Sequence, residues 1–430
     1  MKVALLTMFN GLDSTYSIVN VVAEQLKMML DDEDVTPIML VTENCSLNER
    51  YGVFLDERIE WRKVANSVND KQIHWHDYTE AKGEVHDTFF NEAETVAADL
   101  TEKLKDVDVC VMHDIHYQGW HLLHNIAVRM AQKKLPQLPF IAFTHSAPVS
   151  RPKETAWPFS ARFSPMPNTT YVYPTQSGIS ALAEQYDTPE GTCRAVNNSL
   201  DLLSNASEAV LALAEKVNLF TPDILVIYPG RLTTGKRFEK VASLCGAIKK
   251  HYEKTVQIIY CDFPSADIES DRYKTFIRHT GKEHGLENED IFFTSDLDSY
   301  KYGFPRESVL ELFQLSNLFI CPSFSESFGL TVLEAAGRGN IIVLNERVPA
   351  LEELGKKLHA HFMCWDARNF GFDTFEDYHP SEEAYLKDHA GIIVNLMKEN
   401  PVIHAKTIAR QRYTPQWIWH HQLKPLLKKE

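Results

Sequence analysis

The chain has 430 residues, a formal net charge of −15, 44% hydrophobic residues and 24% charged ones. That length suits two domains of roughly 200 residues, each able to bury its own core, and the acidic balance argues against broad non-specific binding to nucleic acid. No apolar run approaches the ~20 residues of a membrane-spanning helix. The seven cysteines are scattered and include no Cys-x-x-Cys, so they read as buried free thiols in a reducing compartment.

In chain order, the first residues read as a strand over 3–8 rather than a signal peptide. The turn Asn10-Gly11-Leu12-Asp13-Ser14 follows, then a helix over 16–30 with apolar residues at Ile18, Val21, Val22, Leu26 and Met29. Strands are expected at 37–41, 107–112 and 140–143, with a helix over 122–132 between the last two. The acidic, histidine-bearing segment 69–94 reads as loop plus helix. Residues 148–167 are irregular and proline-rich, a length usually kept for function. A strand at 171–173 and a helix at 179–185 close the first half. The second half restarts with strands at 224–228, 256–260, 291–293, 318–321 and 341–344, alternating with helices at 238–250, 273–284 and 307–315. Such alternation argues for α/β layers around parallel sheets. The amphipathic, aromatic stretch 411–427, with Trp417 and Trp419, reads as a C-terminal helix.

Two loops of the second half carry the chemistry. Tyr228-Pro229-Gly230-Arg231-Leu232-Thr233-Thr234-Gly235-Lys236 follows a strand and precedes a helix. Gly230 and Gly235 permit tight backbone. Arg231 offers a planar fork and Lys236 a compact charge at the carboxyl end of a strand, where open α/β sheets bind ligands. Further on, Cys321-Pro322-Ser323-Phe324-Ser325-Glu326-Ser327-Phe328-Gly329-Leu330-Thr331-Val332-Leu333-Glu334-Ala335-Ala336 joins a buried strand to a helix opening near Gly329. A helix start offers unpaired N–H groups and its dipole to an anion. Glu326 and Glu334 then read as acceptors for sugar or ribose hydroxyls.

The second of these loops resembles the Pro-Ser-x-x-Glu-x-Phe-Gly-x-x-x-Leu-Glu-Ala pattern of retaining GT-B glycosyltransferases of family 4. The first is similar to that family's Gly-Arg-x-x-x-x-Lys-Gly donor-diphosphate motif, with Arg237 where glycine is usual. Val196-Asn197-Asn198-Ser199-Leu200-Asp201 resembles the family's Pro-Asn-Gly-Val-Asp segment before the domain crossover, with Asn197 replacing proline and Ser199 replacing glycine. The resemblance implies an α/β fold of two Rossmann-like doubly wound domains facing a cleft. Residues 1–205 would form the acceptor-side domain, completed by a crossover helix within 411–430, and 206–410 the donor domain.

The implied activity is transfer of a hexosyl or pentosyl group from a nucleotide-diphosphate sugar to a hydroxyl acceptor, with retention and by a front-face mechanism. Arg231 and Lys236 would stabilise the leaving diphosphate, Glu326 would hold the sugar hydroxyls and Glu334 the ribose. Gly230, Ser327, Phe328, Gly329 and Leu330 would meet the donor through backbone, and Gly11 would approach its phosphate. His145, at the end of the strand 140–143, would contact the sugar near the reacting carbon. Phe293 ends a strand where the family holds the base largely through backbone, with Tyr300, Lys301 and Tyr302 nearby. His113, Asp114 and His116 are candidates for a wall meeting the acceptor. The family needs no Asp-x-Asp metal, so neither metal nor cofactor is expected, and the histidine-rich run 113–124 is not read as a zinc site. The acceptor stays open among a glycan, a lipid-linked glycan and hydroxymethylated phage DNA, for which Arg151, Lys153, Arg162, Lys424, Lys428 and Lys429 are the cations available. A catalytically silent nucleotide-sugar-binding scaffold, a phosphorylase and an epimerase are the other readings. The expected location is the cytoplasm, with peripheral membrane contact left open.

Overall fold

The computed structural model describes residues 1–73, 77–78, 83–150, 155–266, 268–365 and 379–428. Arg151, Lys153 and Lys429 lie outside them. The chain forms two compact units, Met1–Leu200 with Pro415–Glu430, and Asp201–Thr414.

The first unit is built on a parallel sheet of seven strands: β1 (Lys2–Leu6), β2 (Thr36–Thr42), β3 (Glu60–Val64), β6 (Val109–His113), β7 (Phe140–Phe143), β8 (Thr169–Tyr173) and β9 (Cys193–Ala195), in the order β3-β2-β1-β6-β7-β8-β9. A small antiparallel hairpin, β4 (Ser67–Val68) with β5 (Lys71–Gln72), stands apart from it. The central strands are apolar throughout because helices cover both faces. Val3 pairs with Pro37 on one side and Val109 on the other. Helices α1 (Ser17–Leu30), α2 (Phe89–Lys103), α3 (Leu122–Lys134) and α4 (Ile179–Tyr186) supply the cover. β3 reads Glu-Trp-Arg-Lys-Val and is mostly part-exposed, as an edge strand allows.

The second unit repeats the plan. Strands β10 (Ile224–Arg231), β11 (Val256–Phe263), β12 (Ile291–Phe293), β13 (Leu318–Cys321), β14 (Ile341–Asn345) and β15 (His361–Met363) lie parallel in the order β12-β11-β10-β13-β14-β15. Around them pack α5 (Glu208–Ala214), α6 (Phe238–Tyr252), α7 (Ser270–Glu283), α8 (Arg306–Leu315), α9 (Leu330–Ala336), α10 (Pro349–Leu358), α11 (Glu382–Glu399) and α12 (Pro401–Arg412). The expectation of mixed α/β architecture in two Rossmann-like doubly wound units holds.

The expected single helix over 411–427 does not. α12 ends at Arg412 within the second unit, and a new helix begins after Thr414, because a residue before proline is pushed away from helical backbone. From Pro415 the chain runs through α13 (Pro415–Ile418), a turn of π-helix (Trp419–Leu423) and α14 (Lys424–Leu427). Ile418, Trp419, Leu423 and Leu427 join the first unit's core beside Ile18, Val22 and Leu26. The Trp419 indole donates to Asp32 Oδ2 at 2.9 Å, and Lys424 pairs with the same carboxylate.

Candidate functional site

In the second sheet the strand order reverses between β10 and β13. That reversal opens a crevice at the strands' carboxyl ends, the usual place for a ligand in an open α/β sheet. The two loops picked out from the sequence leave the sheet there, side by side. The Phe324 amide donates to Gly235 O at 2.9 Å, Tyr228 OH donates to Lys236 O at 2.6 Å, and Arg237 lies 4.2 Å from the Phe324 ring centroid. Arg237 adopts left-handed backbone, φ 54°, which explains why glycine suits that position. The buried Asn345 side chain donates to Ser323 O at 3.1 Å and so pins the start of the second loop.

Gly329 is the conformational hinge of that loop. Its φ is +86°, and an added Cβ would meet Leu351 and Val332 at 3.2 Å. Around it Phe328 and Leu330 are exposed, and among the described residues no partner engages the backbone N–H of Phe328, Gly329 or Leu330. Helix α9 has only seven residues, so the loop amides carry more of any anion contact than a helix dipole does.

The charges are arranged in pairs. Lys236 Nζ pairs with Glu326, and Arg306 pairs with Glu334, its Nε donating to Oε1 at 3.1 Å. Arg306 was not foreseen, because 28 residues separate it from Glu334 and no local spacing links them. Arg231, the last residue of β10, is exposed and makes no ion pair among the described residues. Among the described residues the crevice therefore offers Arg231 as a free cation and Lys236 held by a carboxylate that an incoming phosphate can displace.

The first sheet reverses between β1 and β6, and the chain's histidine cluster forms at that end. His113 Nδ1 and His145 Nε2 share a hydrogen bond at 2.9 Å with their rings stacked, and Phe143 stacks on both. The His145 amide donates to Asp114 Oδ1 at 2.8 Å, and Gln118 bridges Asp114 Oδ2 and Ser146 Oγ at 3.3 and 3.0 Å. His145 is part-exposed, and its Nδ1 is left without a partner among the described residues. Burial pushes the His145 pKa down, against an opposing pull from Asp114. His113 is held well below its ordinary value, first by burial and then by His145. The neutral imidazole is thus the resting form of both rings.

The other expected residues fall in different places. His113 and Asp114 are each 2% exposed, so they do not form the open wall expected of them. His116, expected on that wall, is an interior residue: Arg129 Nη2 lies 2.8 Å from its Nε2, and Tyr171 and Tyr186 pack edge-on against its ring. The Phe293 ring is fully buried against Tyr260, which leaves only its backbone for a ligand. Gly11 is exposed with open space where a Cβ would sit, so nothing local demands glycine there. Tyr302 is 90% exposed. His121 and His124 bond each other in the core at 3.0 Å, and among the described residues no cluster suited to a metal occurs. Of the cations considered for DNA, Arg162 is buried with Nε donating to Tyr117 O at 2.7 Å, and Lys424 is committed to Asp32.

Residues 212–364 match the model of the family described as glycosyl transferases group 1. No curated relative matches the chain. Similar solved structures include a glycosyltransferase from Rickettsia africae, at 15% identity and a TM-score of 0.36, covering 100% of this chain and 99% of that one. Another is Anabaena HepE in complex with UDP and glucose, at 14% and 0.35, covering 99% of each chain. A third, an E. coli trehalose-6-phosphate protein bound with UDP-2-fluoro glucose, stands at 12% and 0.38, covering 100% of each. The matched segment takes in both crevice loops, Arg231 and Lys236 in one and Glu326 and Glu334 in the other; the protein is a glycosyltransferase.

Proposed function

We propose that the protein is a retaining glycosyltransferase that moves a sugar from a nucleotide-diphosphate sugar to a hydroxyl acceptor. The observation that carries this reading is the pairing of the two loops at the β10/β13 reversal, with Arg231 free, Lys236 against Glu326 and Glu334 at the base of α9. In this reading the donor's diphosphate takes Arg231 and Lys236, with help from the unpartnered amides of Phe328, Gly329 and Leu330. Releasing Lys236 frees Glu326 to accept from the sugar hydroxyls, while Arg306 holds the Glu334 carboxylate toward the ribose. Negative charge grows on the diphosphate as the glycosidic bond breaks, and fixed cations there stabilise that change more than they do the ground state.

The acceptor hydroxyl attacks on the face the diphosphate leaves, and the departing phosphate oxygen takes its proton. His145, neutral and oriented by His113 and Asp114, supports the sugar through Nδ1. No metal takes part in this scheme. No described helix is long and apolar enough to cross a membrane, and we place the reaction in the cytoplasm, where the buried free thiols stay reduced. The test is the stereochemistry of the product. With an α-linked donor, proton NMR of the first-formed product should show an α linkage; a β linkage would overturn retention while leaving glycosyl transfer intact.

A further inference from the structure

Helix α1, residues 196–199 and the C-terminal stretch line a cavity of about 130 Å³ in the first unit, open to solvent on one side. It shares no residue with the histidine cluster. Val21 and Met28 of α1, with Ile418 and Leu423, give it apolar walls. Three buried polar atoms of its lining have no partner among the described residues: Glu24 Oε2, Gln25 Oε1 and Ser199 Oγ. Gln25 is only 5% exposed. A buried acceptor left without a donor is costly, so native interiors rarely keep one, let alone several around a single cavity.

Two of the lining's side-chain amides are already engaged, Asn20 Nδ2 donating to Ser14 O at 2.9 Å. Asn197 is spent: its N–H donates to Gln422 Oε1 at 2.7 Å, its Nδ2 to Pro174 O at 2.7 Å, and its Oδ1 accepts from Gln422 Nε2 at 2.8 Å. Glu24 is not short of a counter-charge either, because its Oε1 accepts from Lys27 Nζ at 2.7 Å. What its other oxygen lacks is a neutral donor. Ser199 adds a hydroxyl at the position where the crossover segment it resembles carries glycine.

We infer that this cavity is a second, non-catalytic binding site for a small polyhydroxylated molecule, a polyol or a monosaccharide. Hydroxyls donate to Glu24 Oε2 and Gln25 Oε1, one more exchanges a hydrogen bond with Ser199 Oγ, and the carbon skeleton lies against the apolar walls. Ser199 and Ile418 also lie close in sequence to the two points where the chain passes between units, after Leu200 and before Pro415.

The test is saturation-transfer NMR on the full chain with glycerol, glucose and myo-inositol as separate probes. At least one should bind saturably with a millimolar or tighter dissociation constant. Gln25→Met and Ser199→Ala should each weaken it about tenfold, the loss expected for one good hydrogen bond. Ser199→Ala removes a single hydroxyl and keeps the comparison alive should Gln25→Met fail to fold. Stabilisation by a nucleoside diphosphate should be unchanged in both, which separates this site from the donor site. Absence of saturable binding by all three probes, or equal binding by wild type and variants, would overturn the inference.

Discussion

Arg231 is exposed and unpaired among the described residues, so removing its side chain takes little from the fold. Arg231→Ala should keep the thermal midpoint of the wild type and lower kcat/KM roughly 100- to 1,000-fold, the loss typical of one preorganised charge contact. A rate within about twofold of wild type would remove Arg231 from the mechanism. The buried histidines predict a different observable. His113, His116 and His121 are held well below the ordinary value, and His124 is pushed down to about 4, in each case chiefly by burial. Above the unfolded value near 6.5 neither state carries the protons, and stability is full. As pH falls from there toward the folded values, only the unfolded chain takes up protons and stability drains away. Urea unfolding followed through the first unit should show a loss of at least about 2 kcal/mol between pH 7 and 5; a flat midpoint would mean these rings are solvated.

At the scale of the element, the turn into α9 depends on left-handed backbone at Gly329. Gly329→Ala should cost about 1–2 kcal/mol in stability from the conformation alone, and should weaken donor binding because the loop amides shift with it. Arg237→Gly is the reverse case. It relieves left-handed strain at a non-glycine residue but gives up the Arg237–Phe324 stacking and the Glu239 ion pair at 3.5 Å, so denaturant midpoints should agree within about 0.5 kcal/mol.

The elements that were legible in the sequence are those with strong apolar periodicity, such as β1, β7, β13, α1 and α6. β3 escaped because its half-wet edge carries charged residues, and β9 and β15 because each is three residues with an ionisable residue and only one buried position, unlike the equally short but wholly apolar β12. α11 escaped because few of its residues are buried. In the site, the two loops were readable from motif and order. The Arg306–Glu334 and His113–His145 pairs were not, since tertiary packing alone brings them together.

At the scale of the molecule, the chain completes its first unit only with its last residues. The four buried side chains Ile418, Trp419, Leu423 and Leu427, together with the Asp32 contacts of Trp419 and Lys424, close the core over α1. Burial of that many large apolar side chains is worth roughly 6 kcal/mol or more, so a chain ending at Thr414 should lose the first unit's unfolding transition while keeping that of the second. Differential scanning calorimetry would show this, and two intact transitions would contradict it.

The measurement that bears most directly on the central claim is thermal stabilisation of the full chain and of Arg231→Ala by UDP, GDP, ADP, CMP and dTDP. A ligand at a hundred times its dissociation constant adds about 2.7 kcal/mol. The crevice at the β10/β13 reversal predicts that one nucleoside diphosphate stabilises the wild type clearly and the variant much less. No shift with any of the five, or a shift that ignores the loss of Arg231, would mean that the donor nucleotide does not bind there.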